Sequence, residues 1–166
     1  MVRTSILLLA FAIGAFAQAK VAIINSQQAV VETTEIKKAQ AELEAKYKPR
    51  QGQIEKLQRE LESLQNQLQQ SQGKFTPQAQ QEMVGQGQRK QRELQRLGED
   101  LQADVERERQ DILGRSSERM QDVVKKLAEE RALDVVIDVS NTIYFKPALD
   151  ITKEATAAYD KAYPAK

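Results

Sequence analysis

Apolar side chains recur every three or four residues along the first half of the chain. The spacing alternates between four and three at Leu43, Tyr47, Arg50, Ile54, Leu57, Leu61, Leu64 and Leu68. Arg50 is the one polar member, and Gln, Glu, Lys and Arg fill most of the positions between. Such a 3.5-residue repeat is typical of a helix with one apolar seam, which needs a partner to bury it.

The next segment supplies that partner. A second helical pattern carries Met83, Leu94, Leu97, Leu101, Val105, Ile112, Met120, Val123 and Leu127. Between the two patterns, Gly73 can end the first helix, Thr76 can cap the second, and Pro77 suits its first turn. We therefore predict a long antiparallel helical hairpin over residues 35–127, with its tip near residues 71–77. Folding back there sets Leu57 opposite roughly Leu94.

The predicted arms contain helix-weakening residues. Pro49 lies inside the first arm, where it removes a backbone hydrogen bond at a cost of about 3 kcal/mol. Gly52 follows it, and the fold-back places Pro49 opposite roughly residue 102, close to Gly98. Pro49, Gly52 and Gly98 are consistent with a hinge, and equally with a static kink.

The hairpin is flanked by short β-branched runs that predict a small β body. Residues 20–25 and 133–139 are expected to be strands, and residues 142–145 a third strand after a tight turn at Ser140-Asn141. Asn25 or Ser26 would cap a brief helix, and Asp150 or Thr152 a final one. The body is predicted to comprise residues 20–34 and 128–166, and Ile24 and Val136 are expected to be buried in it. Its candidate trimer-forming residues are Val21, Ile23, Ile24, Val135, Val136, Ile137, Ile143 and Phe145. Three short strands are marginal alone, so we expect a barrel-like trimerisation body closed between subunits.

Residues 1–19 have the pattern of a secretory signal peptide. Arg3 provides a positive start, and the apolar run of residues 6–16 is too short to span a bilayer. Cleavage is expected after Ala19, with cleavage after Ala17 as the alternative. The pattern predicts export from the cytoplasm.

Composition narrows the function classes. The chain has 166 residues, 30% charged and 5% aromatic, with no His, Cys or Trp and a net charge of +1. Without His and Cys, the chain cannot use Cys–His or Ser–His–Asp catalysis, and it cannot form a Cys/His zinc site. Near-neutral charge argues against nucleic-acid binding. We predict no enzyme activity, no cofactor and no metal site, in a mostly α oligomer with a small β body.

The order of these motifs resembles the periplasmic chaperone family Skp/OmpH. The matching stretches are residues 20–25 after a leader, two long polar arms, residues 133–139, residues 142–145 and Asp150-Ile151-Thr152. The resemblance implies a homotrimer whose body holds three helical tentacles. It further implies a periplasmic location, and clients that are unfolded outer-membrane β-barrel proteins held without ATP. Weak contact with lipopolysaccharide or anionic membrane belongs to the same expectation.

Two functions fit the arms. The leading hypothesis is a holdase chaperone, in which adaptable side chains contact the client, and the candidates are Leu64, Leu68, Phe75 and Met83. The alternative is a structural coiled-coil adaptor or spacer of the cell envelope, which the arms alone fit equally well.

Overall fold

The computed structural model describes residues 19–70 and 75–165. The chain is mostly helical, with a small two-stranded sheet. In order, the elements are β1 (Val21–Ile24), α1 (Ser26–Val31), α2 (Thr34–Gln70), α3 (Pro77–Glu130), β2 (Val135–Asp138) and α4 (Thr152–Ala162). Short 3₁₀ turns at Val139–Asn141 and Pro147–Leu149 lie between β2 and α4.

The long helices α2 and α3 pack against each other. Three ion pairs join them, and as the residue number in α2 increases, the number of its partner in α3 decreases. The pairs are Glu35 with Arg119, Arg50 with Asp104 and Glu60 with Lys90. The two helices therefore run in opposite directions where they touch. The α3 helix is the longer, with 54 residues against 37, which carries its C-terminal end onward to the sheet.

Two helix caps lie where the sequence places them, at the starts of α1 and α3. The Thr76 hydroxyl accepts a hydrogen bond from the Ala79 backbone N–H at 3.2 Å, and Pro77 opens α3. The Asn25 side chain accepts one from Gln28 N–H at 2.9 Å at the start of α1. These local predictions are confirmed, whereas the predicted end of the first arm at Gly73 lies outside the described residues.

The predicted cap of the last helix is wrong, because α4 begins after Ile151, which makes no side-chain cap bond. Asp150 instead accepts from the Thr152 N–H at 2.8 Å.

The register of the hairpin agrees with simple fold-back at Leu64 and departs from it at Arg50, near the middle of the arm. A Cβ atom on Gly87 would lie 3.3 Å from Leu64 Cδ2, as the predicted register requires. Arg50 instead pairs with Asp104 at 2.6 Å, so Pro49 lies opposite residues beyond the predicted residue 102. The simple fold-back counts residues along each helix and takes no account of side chains that pair across it.

The α3 helix ends in a reversal that returns the chain to β1. Ala132 has a left-handed backbone, with φ of 51°. Its N–H donates to the Glu129 carbonyl at 3.1 Å, and Leu133 N–H donates to that of Ala128 at 2.9 Å. These are the two bonds of a Schellman motif, in which glycine is the usual residue at the left-handed position.

The sheet is parallel, and the core packs on one of its faces. Val21 pairs with Val135, and Ile24 with Asp138. A cluster of buried residues joins this face to α1, α3, α4 and the start of α2, and it consists of Ala22, Ile24, Ala29, Val30, Ile36, Met120, Val123, Ile151, Ala155 and Tyr159.

The predicted third strand is wrong for the isolated chain. Residues 142–145 form no strand, and Ser140-Asn141 belongs to a 3₁₀ turn instead of a tight hairpin turn. Ile143 and Tyr144 project into solvent, with exposures of 107% and 80%. The sheet of the described residues therefore stays open, with order β1–β2, and does not close into a barrel.

Candidate functional site

The middle of the arm buries its leucine seam between α2 and α3. Leu57, Leu61 and Leu64 are 7 to 9% exposed. Gly87 makes room for Leu64, because a side chain there would crowd it. Leu64, named from the sequence as a client contact, therefore lies inside the hairpin in the free chain. Its role as a client contact stays a prediction.

The distal end of the arm carries apolar side chains that the hairpin does not cover. Phe75 is 37% exposed and Val84 is 43% exposed, while Leu68 and Met83 are half-buried. We call Leu68, Phe75, Met83 and Val84 the distal patch. Val84 was not predicted as a contact residue, because it lies outside the apolar helical repeat. An apolar residue at a position outside that repeat is the feature that could have identified it.

A charged cluster ties the two helices together at mid-arm. Glu108 accepts hydrogen bonds from Lys46 and from the Tyr47 hydroxyl, the latter at 2.9 Å, and these bonds lower the pKa of Glu108. The Arg50 guanidinium likewise lowers the pKa of Asp104. Arg50, the single polar residue of the predicted seam, thus forms an ion pair with the other helix of the arm.

The predicted hinge residues are distributed around this cluster. Pro49 lies inside α2, between Tyr47 and Arg50, both of which are bonded to α3. Gly52 and Gly98 border open space, since a Cβ atom on either would meet nothing within 4 Å. The contacts of its neighbours hold the segment around Pro49 to α3. The hinge stays a prediction.

Where the arm joins the body, a second polar cluster links α2, α3 and α4. The buried Tyr159 hydroxyl donates to Glu35, whose other carboxylate oxygen accepts from Arg119 at 2.8 Å. The Arg119 guanidinium also lies 4.9 Å from the centre of the Tyr163 ring. Burial raises the pKa of Tyr159. We call Glu35, Arg119, Tyr159 and Tyr163 the root cluster, which fixes the arm to the body.

The sheet has one covered and one less covered face. Ala22 and Ile24 face the core, whereas Val135, on the alternate face, is 42% exposed. The predicted body residues do not divide strictly by face, because Ile23 lies on the alternate face with Val135 and is nevertheless 3% exposed. Ile23 and Ile24 are buried, and the partly buried or exposed ones are Val21, Val135, Val136, Ile137, Ile143 and Phe145.

The described residues offer no metal centre and no membrane span. No group of three or more Asp, Glu, His or Cys side chains is arranged to hold a metal ion in residues 19–70 and 75–165. Across the same residues, no helix combines the length and apolar character needed to cross a bilayer. Asp138, at the end of β2, is instead a structural acceptor, bonded to Ser26 and to Ser140 N–H at 2.9 Å.

A comparison with protein families gives a match over most of the chain. Residues 20–159 match the family model described as outer membrane protein (OmpH-like). The chain belongs to the OmpH-like family. The start of the match at Lys20 coincides with the first residue after the predicted leader.

A solved structure has the same fold as this OmpH-like chain. It is a crystal structure from Caulobacter crescentus CB15, described as a candidate outer membrane chaperone (OmpH-like), and it is 22% identical. The alignment covers 90% of this chain and 89% of that one, with a TM-score of 0.73. No curated protein matches the OmpH-like chain. The long arm and the small sheet are thus features of the fold, retained at low identity.

Proposed function

We propose that this chain is an ATP-independent holdase chaperone of the periplasm. As a homotrimer, it would hold unfolded outer-membrane proteins in a cavity between its helical arms and prevent their aggregation. Membership of the OmpH-like family supports the proposal, as does the chaperone description of the structural neighbour. The predicted signal peptide supports export, and residues 1–18 lie outside the described residues.

The observation that carries the proposal is the arm. Its two helices pair mainly with each other, and the leucine seam closes within the hairpin. The arm therefore needs no fixed partner, and its outer surface is free for clients. Gln and charged side chains dominate that surface, and apolar groups are concentrated in the distal patch. Many weak contacts of this kind suit a client without defined structure.

Assembly supports the same proposal, because several arms are needed to enclose a client. The apolar alternate face of the sheet includes Val135, which is 42% exposed, and Ile137, which is half-buried. Ile143 and Tyr144, a few residues after β2 in the chain, add further exposed apolar surface. Large exposed apolar side chains mark interaction sites, and other copies of the chain would cover these.

The proposal is tested by aggregation of an unfolded outer-membrane β-barrel protein diluted from urea. We expect the mature chain to suppress light scattering without ATP, at a stoichiometry near one trimer per client. Replacing Phe75 and Val84 by Ser should weaken suppression, whereas Gln88→Ser, on an exposed polar position of α3, should not. Unchanged scattering with the wild-type chain would favour the envelope spacer, which needs no client binding.

A further inference from the structure

Two aspartates bind the segments at the two ends of β1. Asp138, the last residue of β2, accepts hydrogen bonds from the Ser26 backbone N–H, at 3.1 Å, and from the Ser26 hydroxyl. Asp134, directly before β2, accepts one from the Lys20 backbone N–H at 2.7 Å. The two carboxylates thus fasten the first strand of the body to a strand that follows the whole arm.

The contact between Lys20 and Asp134 runs in both directions. The Lys20 carbonyl accepts from the Asp134 N–H at 2.9 Å, while the Lys20 nitrogen donates to the Asp134 carboxylate. The pair continues the parallel register one step before Val21 and Val135. The left-handed reversal at Ala132 brings Asp134 to this place. The fold itself therefore holds the Lys20 nitrogen against a carboxylate.

No basic side chain of the described residues neutralises this carboxylate. Asp134 takes part in no ion pair within residues 19–70 and 75–165. The nearest basic residue in the sequence, Arg131, pairs with Glu154 at 2.8 Å. A positive charge on the Lys20 nitrogen would turn a neutral donor into a charge-assisted one, which bonds a carboxylate about twice as strongly.

We propose that cleavage after Ala19 creates this charge, and that the new α-ammonium group of Lys20 forms an ion pair with Asp134 that strengthens the sheet of the processed chain. Hydrolysis of the Ala19–Lys20 peptide bond consumes one water. Ala19 leaves as a carboxylate, and the Lys20 nitrogen becomes an amine that is mostly protonated at pH 7. Both residues are exposed and precede β1, so the bond lies outside the sheet.

The alternative cleavage, after Ala17, would not form this ion pair. A chain that begins at Gln18 places its ammonium group two residues before Lys20, up to about 7 Å away along the chain. The Lys20 nitrogen then stays a neutral amide, and the displaced charge is partly screened by physiological salt. Processing at Lys20 therefore stabilises the body, whereas processing at Gln18 leaves the sheet as it is in the precursor. The inference rests on the export included in the proposed function.

The first test reads the start of the exported protein. The complete precursor is expressed in a bacterium that has a periplasm, and the intact mass of the periplasmic product is measured. We expect a mass that begins at Lys20. A product that begins at Gln18, or one that keeps its leader, would overturn the proposal.

The second test is a double-mutant cycle on the ion pair. Chains that begin at Lys20 or at Gln18 are released from a fusion whose protease leaves no extra residue, each with and without Asp134→Asn. In urea unfolding at equal protein concentration, the Lys20 start should raise the folding equilibrium constant about two- to fivefold. Asp134→Asn should remove that difference, and about 1 M salt should reduce it.

The control for the cycle is Asp111→Asn, on an exposed position of α3, which should leave the difference between the two starts intact. Equal stability of the two starts, or a difference that survives Asp134→Asn, would overturn the ion pair. Neither test uses a client, so the outcome is separate from the holdase proposal. A chain with the ion pair that fails to suppress aggregation would refute the proposed function and leave this inference standing.

Discussion

The buried hydroxyl of Tyr159 in α4 donates a hydrogen bond to Glu35 at the start of α2, 124 residues earlier in the chain. Arg119 of α3 binds the other oxygen of the same carboxylate. One side chain thus joins the three helices that meet at the base of the arm. The arm is anchored to the C-terminal helix by a polar contact as well as by the apolar core.

We predict that Tyr159→Phe destabilises the protein by about 1 to 2 kcal/mol, because a buried hydrogen bond to a charged group is lost. Tyr163→Phe is the matched control, since it keeps the ring that contacts Arg119 and Tyr159. The measurement is urea unfolding of both variants and the wild type at equal protein concentration. Equal midpoints for the wild type and Tyr159→Phe would show that the bond contributes nothing.

Asp138 makes stability depend on acid pH. Hydrogen bonds from Ser26 and Ser140 hold the pKa of Asp138 well below that of a free aspartate, which is near 3.9. A carboxyl group with a depressed folded pKa stabilises fully above its unfolded pKa, and the effect is lost as pH falls below about 4. Asp138→Asn should therefore lower stability at pH 7 and reduce the loss between pH 5 and pH 3.

The measurement for Asp138 is the free energy of unfolding across that pH range. Asp111→Asn, on an exposed position of α3, is the control and should follow the wild-type curve. A wild-type slope in the Asp138→Asn protein would assign the acid sensitivity to other carboxylates, of which Asp104 and Glu108 are paired across the arm.

Ala132 offers a stabilising substitution. Its φ of 51° is a left-handed conformation that costs an L-residue about 1 kcal/mol or more and costs glycine little. Ala132→Gly should raise the free energy of unfolding by about 0.5 to 1 kcal/mol, after allowance for the greater freedom of glycine in the unfolded chain. Thermal unfolding at fixed concentration measures this, and a lower midpoint would contradict the Schellman assignment.

Two glycines of α3 should respond differently to the same substitution. Gly98→Ala adds a methyl group in open space, so it should stabilise the helix by about 1 kcal/mol. Gly87→Ala gains the same propensity but places its Cβ 3.3 Å from Leu64, so the net gain should be smaller or reversed. Chemical unfolding of the two variants, side by side, gives the comparison. Equal gains would mean that Leu64 moves aside without cost.

Local chemistry accounts for the parts of the fold that the sequence predicts well. The leucine repeat predicts α2, and Thr76 with Pro77 predicts where α3 begins, because helix periodicity and capping depend on residues a few positions apart. The register near Arg50 was not predicted, because counting back from the tip does not show which side chains of the two helices pair, as Arg50 and Asp104 do. The root cluster could not be predicted either, because no residue near Glu35 in the sequence indicates that Tyr159 is its partner.

The third strand shows a different limit. Residues 142–145 have the composition of a strand, yet the isolated chain leaves Ile143 fully exposed. A β-branched pattern reports the tendency to pair, and it does not say whether the partner belongs to the same chain. The candidate site is limited in the same way. The distal patch follows from sequence in part, whereas a groove at the base of the arm forms only when five separate elements meet, namely β1, α1, α2, α3 and β2.

The central claim, a trimeric cage for unfolded outer-membrane proteins, is tested most directly by native mass spectrometry of the mature chain. It would be measured alone and then after mixing with a porin-like protein diluted from urea, so that subunit count and client binding are read together. We predict a trimer in the first sample and a trimer with one client in the second, without nucleotide. A monomer in the first sample, or a trimer that acquires no client in the second, would contradict the account.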